Sequence, residues 1–369
     1  MGLARVSPGF RVIQGGFSIR VVLGPVTHLV ASLLLLTFIG CDDPRPGVVV
    51  YVSADQDIAR PVLERFQQHS GIPVEVVYDT EATKTTGLAN RLRNEADNPR
   101  ADVFWSSEVF QPILLAREGI LVPHASEVGA ELPEQFREAE GRWWGFSPRA
   151  RVIVYSTDRV NVQDAPQTWM DLTDQRWKGR VAMADPRFGT TRGHVGAMLA
   201  YWDGNFMPGY FGAYLEGLKE NDTRMLTGGN AAVVDGVARG EFDVGMTDSD
   251  DVYRAIENGW NVDMILPRHD VQGGSRGSGT LLIPNAAGIV NGASNPVAAS
   301  QLVDFLLSAE VENMLAESAS RNLVLRQLDP EASEQLQVAD PLDVDLGVVA
   351  DRSPEAVDQV MRKLAEPSS

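Results

Sequence analysis

The segment Thr247-Asp248-Ser249-Asp250-Asp251 sets three carboxylates within four residues. Carboxylates this close repel one another unless solvent, helix capping or a cation relieves them. The segment follows Phe242-Asp243-Val244-Gly245-Met246, which reads as a strand, and an oxygen-rich loop at a strand end suits a hard cation. A solvated acidic run would look the same. A second candidate is Asp185-Pro186-Arg187-Phe188-Gly189-Thr190-Thr191-Arg192-Gly193-His194, which runs from a strand into a helix. There Gly189 permits close backbone approach, and Thr190 and Thr191 set hydroxyls beside the free N–H groups of a helix start. That chemistry suits an anion, although a plain helix cap would use the same residues. Gly228-Gly229-Asn230 is a similar turn. Polar groups also follow three predicted strands: Ser53, Asp55 and Asp57; then Asp79, Thr80 and Glu81; then Ser106, Ser107 and Glu108. In open α/β sheets the carboxyl ends of the strands face the ligand crevice, though any one of these acids also fits a helix N-cap. No Gly-x-Ser-x-Gly, glycine-rich nucleotide loop or His-Glu-x-x-His is present, and the five histidines are scattered.

The elements that must position these residues follow from periodicity. Val48–Val52 is a β-branched apolar run, reading as a buried parallel strand. A helix follows over Ile58–His69, with Ile58, Val62, Leu63 and Phe66 on one face, then a strand over Val74–Tyr78. Thr86–Ala96 and Phe110–Glu118 read as helices around a strand at Ala101–Trp105. This alternation predicts parallel βαβ units. Trp143–Phe146 and Arg151–Tyr155 read as two strands crossing between lobes. A second α/β set comprises a strand at Arg180–Met183, helices at Thr191–Tyr201, Tyr210–Glu220 and Ala231–Arg239, and the strand at Phe242–Met246. Gly273–Gly279 is a loop, Thr280–Pro284 returns to the first lobe, and Pro296–Leu307 is an amphipathic helix. Beyond Arg326 the chain turns acidic and closes with a helix at Pro354–Leu364.

Residues 1–40 carry Arg5, Arg11 and Arg20, no acid, and an apolar run over Leu33–Ile39, the pattern of an export signal. Phe38-Ile39-Gly40-Cys41 contains the chain's one cysteine and resembles the bacterial lipobox, with Phe38 where leucine is usual. The resemblance implies cleavage before Cys41 and acylation of its thiol. A transmembrane anchor over residues 21–40 is the alternative, but Pro25, Thr27 and His28 shorten its apolar core below the roughly 20 residues a span needs. Loss of the three arginines takes the formal charge from −18 to −21. So acidic a chain argues against nucleic acid and against electrostatic binding to anionic lipid, which leaves the lipid anchor as the membrane link. The 329 residues from Cys41 onward suffice for two domains, and acylation would leave no free thiol for disulfides or thiolate metal sites.

Over residues 48–326 the chain resembles the solute-binding proteins of ABC importers, specifically the ferric-iron-binding-protein family. The carriers are Val50-Tyr51-Val52-Ser53-Ala54, Ala101-Asp102-Val103-Phe104-Trp105-Ser106, Arg149-Ala150-Arg151-Val152-Ile153-Val154-Tyr155, Trp177-Lys178-Gly179-Arg180-Val181, Gly240-Glu241-Phe242-Asp243-Val244-Gly245 and Val303-Asp304-Phe305-Leu306-Leu307-Ser308. The resemblance implies an α/β, type II periplasmic-binding-protein fold. Lobe 1 is then expected over 48–147 plus 282–326 and lobe 2 over 153–277. Hinges fall near 146–153 and 276–284, between a 41–47 tether and a 327–369 C-terminal extension. It implies a periplasmic or cell-surface receptor, without enzymatic activity or a cofactor of its own, working with permease and ATPase subunits. The family's iron receptors commonly have two adjacent tyrosines where this chain has Ser249-Asp250, and some have a histidine where it has Asp55. The expected ligand-binding set is therefore Ser53, Asp55, Asp79, Ser107, Glu108, Gly189, Thr190, Thr191, Asn230, Asp248, Asp250 and Asp251, with Asp55, Glu108 and Asp250 as metal ligands. Fe(III) with an accompanying anion satisfies both acidic and threonine loops, as does a phosphonate or phosphorylated zwitterion; family membership favours iron. A secreted hydrolase would need a nucleophile and base that the sequence does not offer, and a non-transport module would need no crevice.

Overall fold

The computed structural model describes residues 47–79, 85–205, 208–270, 274–326 and 338–365. Cys41 with the expected leader, and Thr80 and Glu81, lie outside them.

β1 (Val48–Val52) is buried along its whole length, as its β-branched composition requires. It pairs in parallel with β2 (Val74–Tyr78) and β3 (Val103–Ser106). Helices α1 (Gln56–Ser70) and α2 (Thr86–Asn94) connect them. α1 buries Ala59, Val62, Leu63 and Phe66 and stops at Gly71, whose φ of 70° is the left-handed turn that glycine adopts without strain. α3 (Phe110–Arg117) leads to the short β4 (Leu121–Val122).

The two crossing strands read from sequence are one strand, β5 (Trp144–Ser156), of 13 residues. Arg149 is its one residue that is not fully buried. The first part of β5 pairs antiparallel with β10 (Leu282–Val290), from Trp144↔Ala287 to Ala150↔Leu282. Its second part pairs with β8 (Val244–Asp248) and β9 (Val262–Ile265). Pro148 does not break it, because the register shifts there, between Ile283 and Asn285, and Ser147 has a φ of 40°. The Ser147 carbonyl accepts from the side-chain amides of Asn285 at 2.8 Å and Asn322 at 2.9 Å, which fixes the irregular point.

β8 continues in parallel to β6 (Val181–Ala184), and β6 to β7 (Arg224–Leu226), giving the order β2-β1-β3-β10-β5-β8-β6-β7. Around this second lobe lie α4 (Gly189–Asn205), α5 (Tyr210–Glu220), α6 (Gly229–Ala238) and α7 (Ser249–Glu257). α8 (Pro296–Leu306) and α9 (Ala309–Glu317) cover the first lobe. The terminal helix α10 (Leu346–Leu364) begins well before the expected Pro354. Asp345 caps it by accepting from Val348 N–H at 2.9 Å, and Leu346, Val349 and Ala350 are buried. α10 packs along α4 and also touches α3 and α5. One apolar core runs continuously from Phe104 and Phe110 through Met198 and Trp202 to Val349 and Val360, so it bonds α3, α4 and α10 into one body. Among the described residues no helix is long and apolar enough to cross a membrane.

Candidate functional site

The carboxyl ends of β1, β3 and β8 and the starts of α4, α6 and α7 converge on a cleft of about 540 Å³. One wall presents Ser53, Asp55, Asp79 and Ser107; the other presents Gly189, Thr190, Thr191, Asn230 and the three aspartates 248, 250 and 251. Arg149 and Arg254 line it as well.

Behind the second wall lies a buried polar network. Arg151 is 0% exposed, and its Nη1 donates to Asp248 Oδ1 at 2.8 Å and Asn230 Oδ1 at 3.2 Å. Thr190 Oγ1 donates to Asp248 Oδ2 at 2.5 Å and accepts from Asn230 Nδ2 at 2.8 Å. The same Asn230 amide reaches Asp248 Oδ2 at 2.8 Å, and Thr191 Oγ1 donates to Asn230 Oδ1 at 3.1 Å. The threonine hydroxyls expected to meet an anion are therefore turned inward. The Gly189 backbone at the head of α4, with a φ of 54°, is the part of that turn with open space where a side chain would stand. It leaves the helix start approachable by an anion.

The acidic segment is not a loop. Thr247 and Asp248 end β8, and Asp250 and Asp251 stand in the first turn of α7. The N-terminal end of the helix dipole favours carboxylates there, which relieves part of their repulsion. One oxygen from each of Asp248, Asp250 and Asp251 lies within 4.8 Å of the others, close enough to share a cation. Asp250 Oδ2 accepts from Arg149 Nη1 at 2.6 Å, while its Oδ1 is buried without a hydrogen-bond partner. Burial works against the charge of Arg149, but Asp250 and Asp248 outweigh it and hold its pKa above the ordinary arginine range.

The first wall differs from expectation at Glu108. It is buried away from the cleft lining, and its carboxylate accepts from Phe110 N–H at 2.6 Å and Gln111 N–H at 3.1 Å, capping α3. Burial pushes its pKa up to about 7, against the lowering effect of those two bonds. The expected metal trio of Asp55, Glu108 and Asp250 is thus not assembled, because Glu108 faces its own helix. Asp55 does line the cleft, 3.3 Å from Arg254 Nη2, which also approaches Asp57 at 3.7 Å. Asp79 Oδ2 accepts from Leu88 N–H at 3.3 Å. Ser53 Oγ accepts from Ser107 N–H at 3.0 Å, tying the β1 and β3 loops together.

The profile of the family described as bacterial extracellular solute-binding protein matches residues 52–313. The chain belongs to that family. This solute-binding protein is 27% identical over 278 residues to iron uptake protein A1 of Synechocystis, covering 73% of each chain. To the major ferric iron-binding protein of Neisseria meningitidis serogroup A it is 25% identical over 296 residues, 78% of this chain and 84% of the relative. In structure it is similar to iron-bound HitA from Pseudomonas aeruginosa, with a TM-score of 0.73 at 24% identity over 85% of this chain and 99% of that one. The fold is that of the periplasmic binding proteins, as the resemblance implied.

The solute-binding protein's arginines were the residues overlooked as site candidates. Arg149 and Arg151 stand two apart in an apolar run, which places both on one face of a strand, and that spacing was a usable signal. Arg254 gave none, since one arginine in an amphipathic segment reads as solvated.

Proposed function

We propose that this receptor of an ABC importer captures ferric iron together with an accompanying anion in the cleft between its lobes. The observation that carries the reading is the aspartate triad, whose oxygens lie within 4.8 Å of one another at the mouth of α7. Carboxylate oxygens suit a hard, highly charged cation. The cleft of about 540 Å³ leaves room beside a metal ion for an anion at the Gly189 backbone. Relatives named as iron uptake and ferric iron-binding proteins agree with this chemistry. Calorimetry with iron supplied as ferric citrate tests it. Asp250→Asn should abolish binding, and full binding by that variant would rule the site out. The competing solute class is a phosphonate or phosphorylated zwitterion, favoured by the two arginines in the lining. An aminophosphonate that binds while ferric citrate does not would select it.

The lobes meet along β5 and β10, and we place the boundaries at 48–147 plus 282–326 and at 153–277, with hinges near 146–153 and 276–284. Ligand should stabilise lobe closure, and small-angle scattering should then show a smaller radius of gyration with ligand than without. The protein is exported, processed before Cys41 and held by lipid at the outward face of the membrane, where permease and ATPase subunits receive its cargo. Cys41→Ser should lose fatty-acid label in metabolic labelling; equal label on both proteins would disprove the anchor.

A further inference from the structure

Arg149 lies where a cation shared by the aspartate triad would compete with it. Its Nη1 is 2.6 Å from Asp250 Oδ2, its Nε is 3.9 Å from Asp248 Oδ2, and its Nη2 donates to the carbonyl of Ser107. Asp248 and Asp250 belong to the second lobe, whereas Ser107 follows β3 in the first. Arg149 itself stands on β5 between the irregular point at Ser147 and Arg151, where the strand's pairing passes from β10 to β8. The side chain is 13% exposed and that of Asp250 is 11% exposed, so water screens their interaction little. The guanidinium Nε has no hydrogen-bond acceptor although it is buried. An unmet buried donor costs free energy, so leaving this position returns part of what breaking the bonds of Nη1 and Nη2 takes.

We propose that Arg149 is the resident counter-ion of the triad and the residue that determines which cations the cleft accepts. The proposal rests on the cation reading above and adds to it a built-in competitor. A metal ion joining Asp248, Asp250 and Asp251 enters beside the guanidinium, at the unpartnered Asp250 Oδ1, or in its place at Oδ2, and in either position its charge drives the guanidinium from Asp250 and loosens its grip on Ser107. Each cation therefore binds by exchange, against a covalently tethered charge present at a fixed local concentration. Three carboxylates attract a weakly charged ion least, so the exchange removes divalent ions from the usable range first. The same exchange couples cation entry to the contact between lobes, because one guanidinium holds groups on both.

The test uses the full mature chain with manganese(II) followed by calorimetry and terbium(III) followed by sensitised luminescence. Arg149→Gln removes the competing charge and keeps a donor for the Ser107 carbonyl. Its affinity for both ions should rise at least about tenfold over wild type, while Arg149→Lys, which keeps the charge, should stay within about threefold. A gain of affinity is not what a damaged fold produces. If the glutamine variant does not fold, the wild-type protein still decides. Lanthanum(III) should displace the slowly exchanging guanidinium signal of Arg149 in nitrogen-15 spectra, and an unchanged signal at saturation would overturn the proposal. Unchanged or weaker binding by Arg149→Gln, beside Asp250-dependent iron binding by wild type, would sink this inference and leave the iron reading standing. Failure of wild type and both variants to bind terbium(III) or ferric citrate would sink both.

Discussion

Arg151 and Asp248 are register partners across β5 and β8, and their side chains meet in a 2.8 Å ion pair with the guanidinium wholly buried. The pair lies at the back of the cleft's second wall, with Arg151 behind the lining and Asp248 in it. Asp248 gives one oxygen to Arg151 and the other to Thr190 and Asn230, so its carboxylate is fixed in place before any cation joins the triad.

Removing one partner of a buried pair leaves the other charge uncompensated. Asp248→Ala should therefore cost about 3–5 kcal/mol of unfolding free energy in urea titrations. The double change Arg151→Met with Asp248→Leu should recover most of that loss, since neither charge remains. A double variant as unstable as the single one would show that the network, rather than stranded charge, sets the cost.

Thr190→Val is expected to act on folding as well as on ligand. It deletes the hydroxyl that donates to Asp248 and accepts from Asn230, leaving buried polar groups unpaired at about 1–3 kcal/mol. Thr190→Ser should restore stability. Thermal melts of the ligand-free variants measure this apart from binding.

Stability should depend on pH through two opposed buried groups. The folded pKa of Glu108 is raised from 4.5 to about 7, so its contribution is present below pH 4.5 and lost as pH rises through 7. His269, whose Nδ1 lies 2.8 Å from the Gly279 carbonyl, is lowered by burial from 6.5 to about 4, so its contribution is present above 6.5 and lost as pH falls through 4. Each spans about 3 kcal/mol, and between pH 4.5 and 6.5 they cancel. His194, lowered in the same direction by burial and by Arg151 and 6.2 Å from His269 between ring centres, tips the balance toward acid instability. Glu108→Gln should steepen the loss of stability on acidification in denaturant titrations at pH 6.5 and 4.5. An unchanged slope would mean that Glu108 is ionised in the folded protein at both values.

Gly196 of α4 meets α10 so closely that a Cβ would lie 2.2 Å from Ser353 Oγ and 2.9 Å from the Val349 carbonyl. The serine could rotate, but the carbonyl is backbone. Gly196→Ala should thus cost about 1–3 kcal/mol by forcing the helices apart. Because the same α4 begins at the cleft with Gly189, the variant should also weaken ligand binding. A variant of normal stability in thermal denaturation would mean that α10 shifts freely.

The order of strands and helices was legible in local pattern. Apolar β-branched runs such as Val48–Val52, helical spacing such as Ile58 to Phe66, and polar residues at successive strand ends are properties of a few neighbouring residues, and they located both walls of the cleft. The start of α7 was hidden because three acids within four residues mimic a solvated loop, although a helix N-terminus accommodates the same charges. Pro148 likewise disguised β5 as two strands, since only the shifted register opposite it makes a proline tolerable there.

Charge state and direction at the site were decided by tertiary structure alone. Asp248 and Arg151 are 97 residues apart in the chain, and strand register makes them partners. Glu108 and Asp250 are the same kind of acid at the same kind of strand-to-helix junction. Glu108 turns onto its own backbone N–H groups, whereas Asp250 faces an arginine from the crossing strand. Local sequence determines that a carboxylate stands at the head of a helix. Whether it caps that helix, pairs with a distant guanidinium or meets a ligand depends on the depth of burial and the charges that packing brings within a few ångströms, because Coulomb energies in a poorly screened interior vary steeply with both.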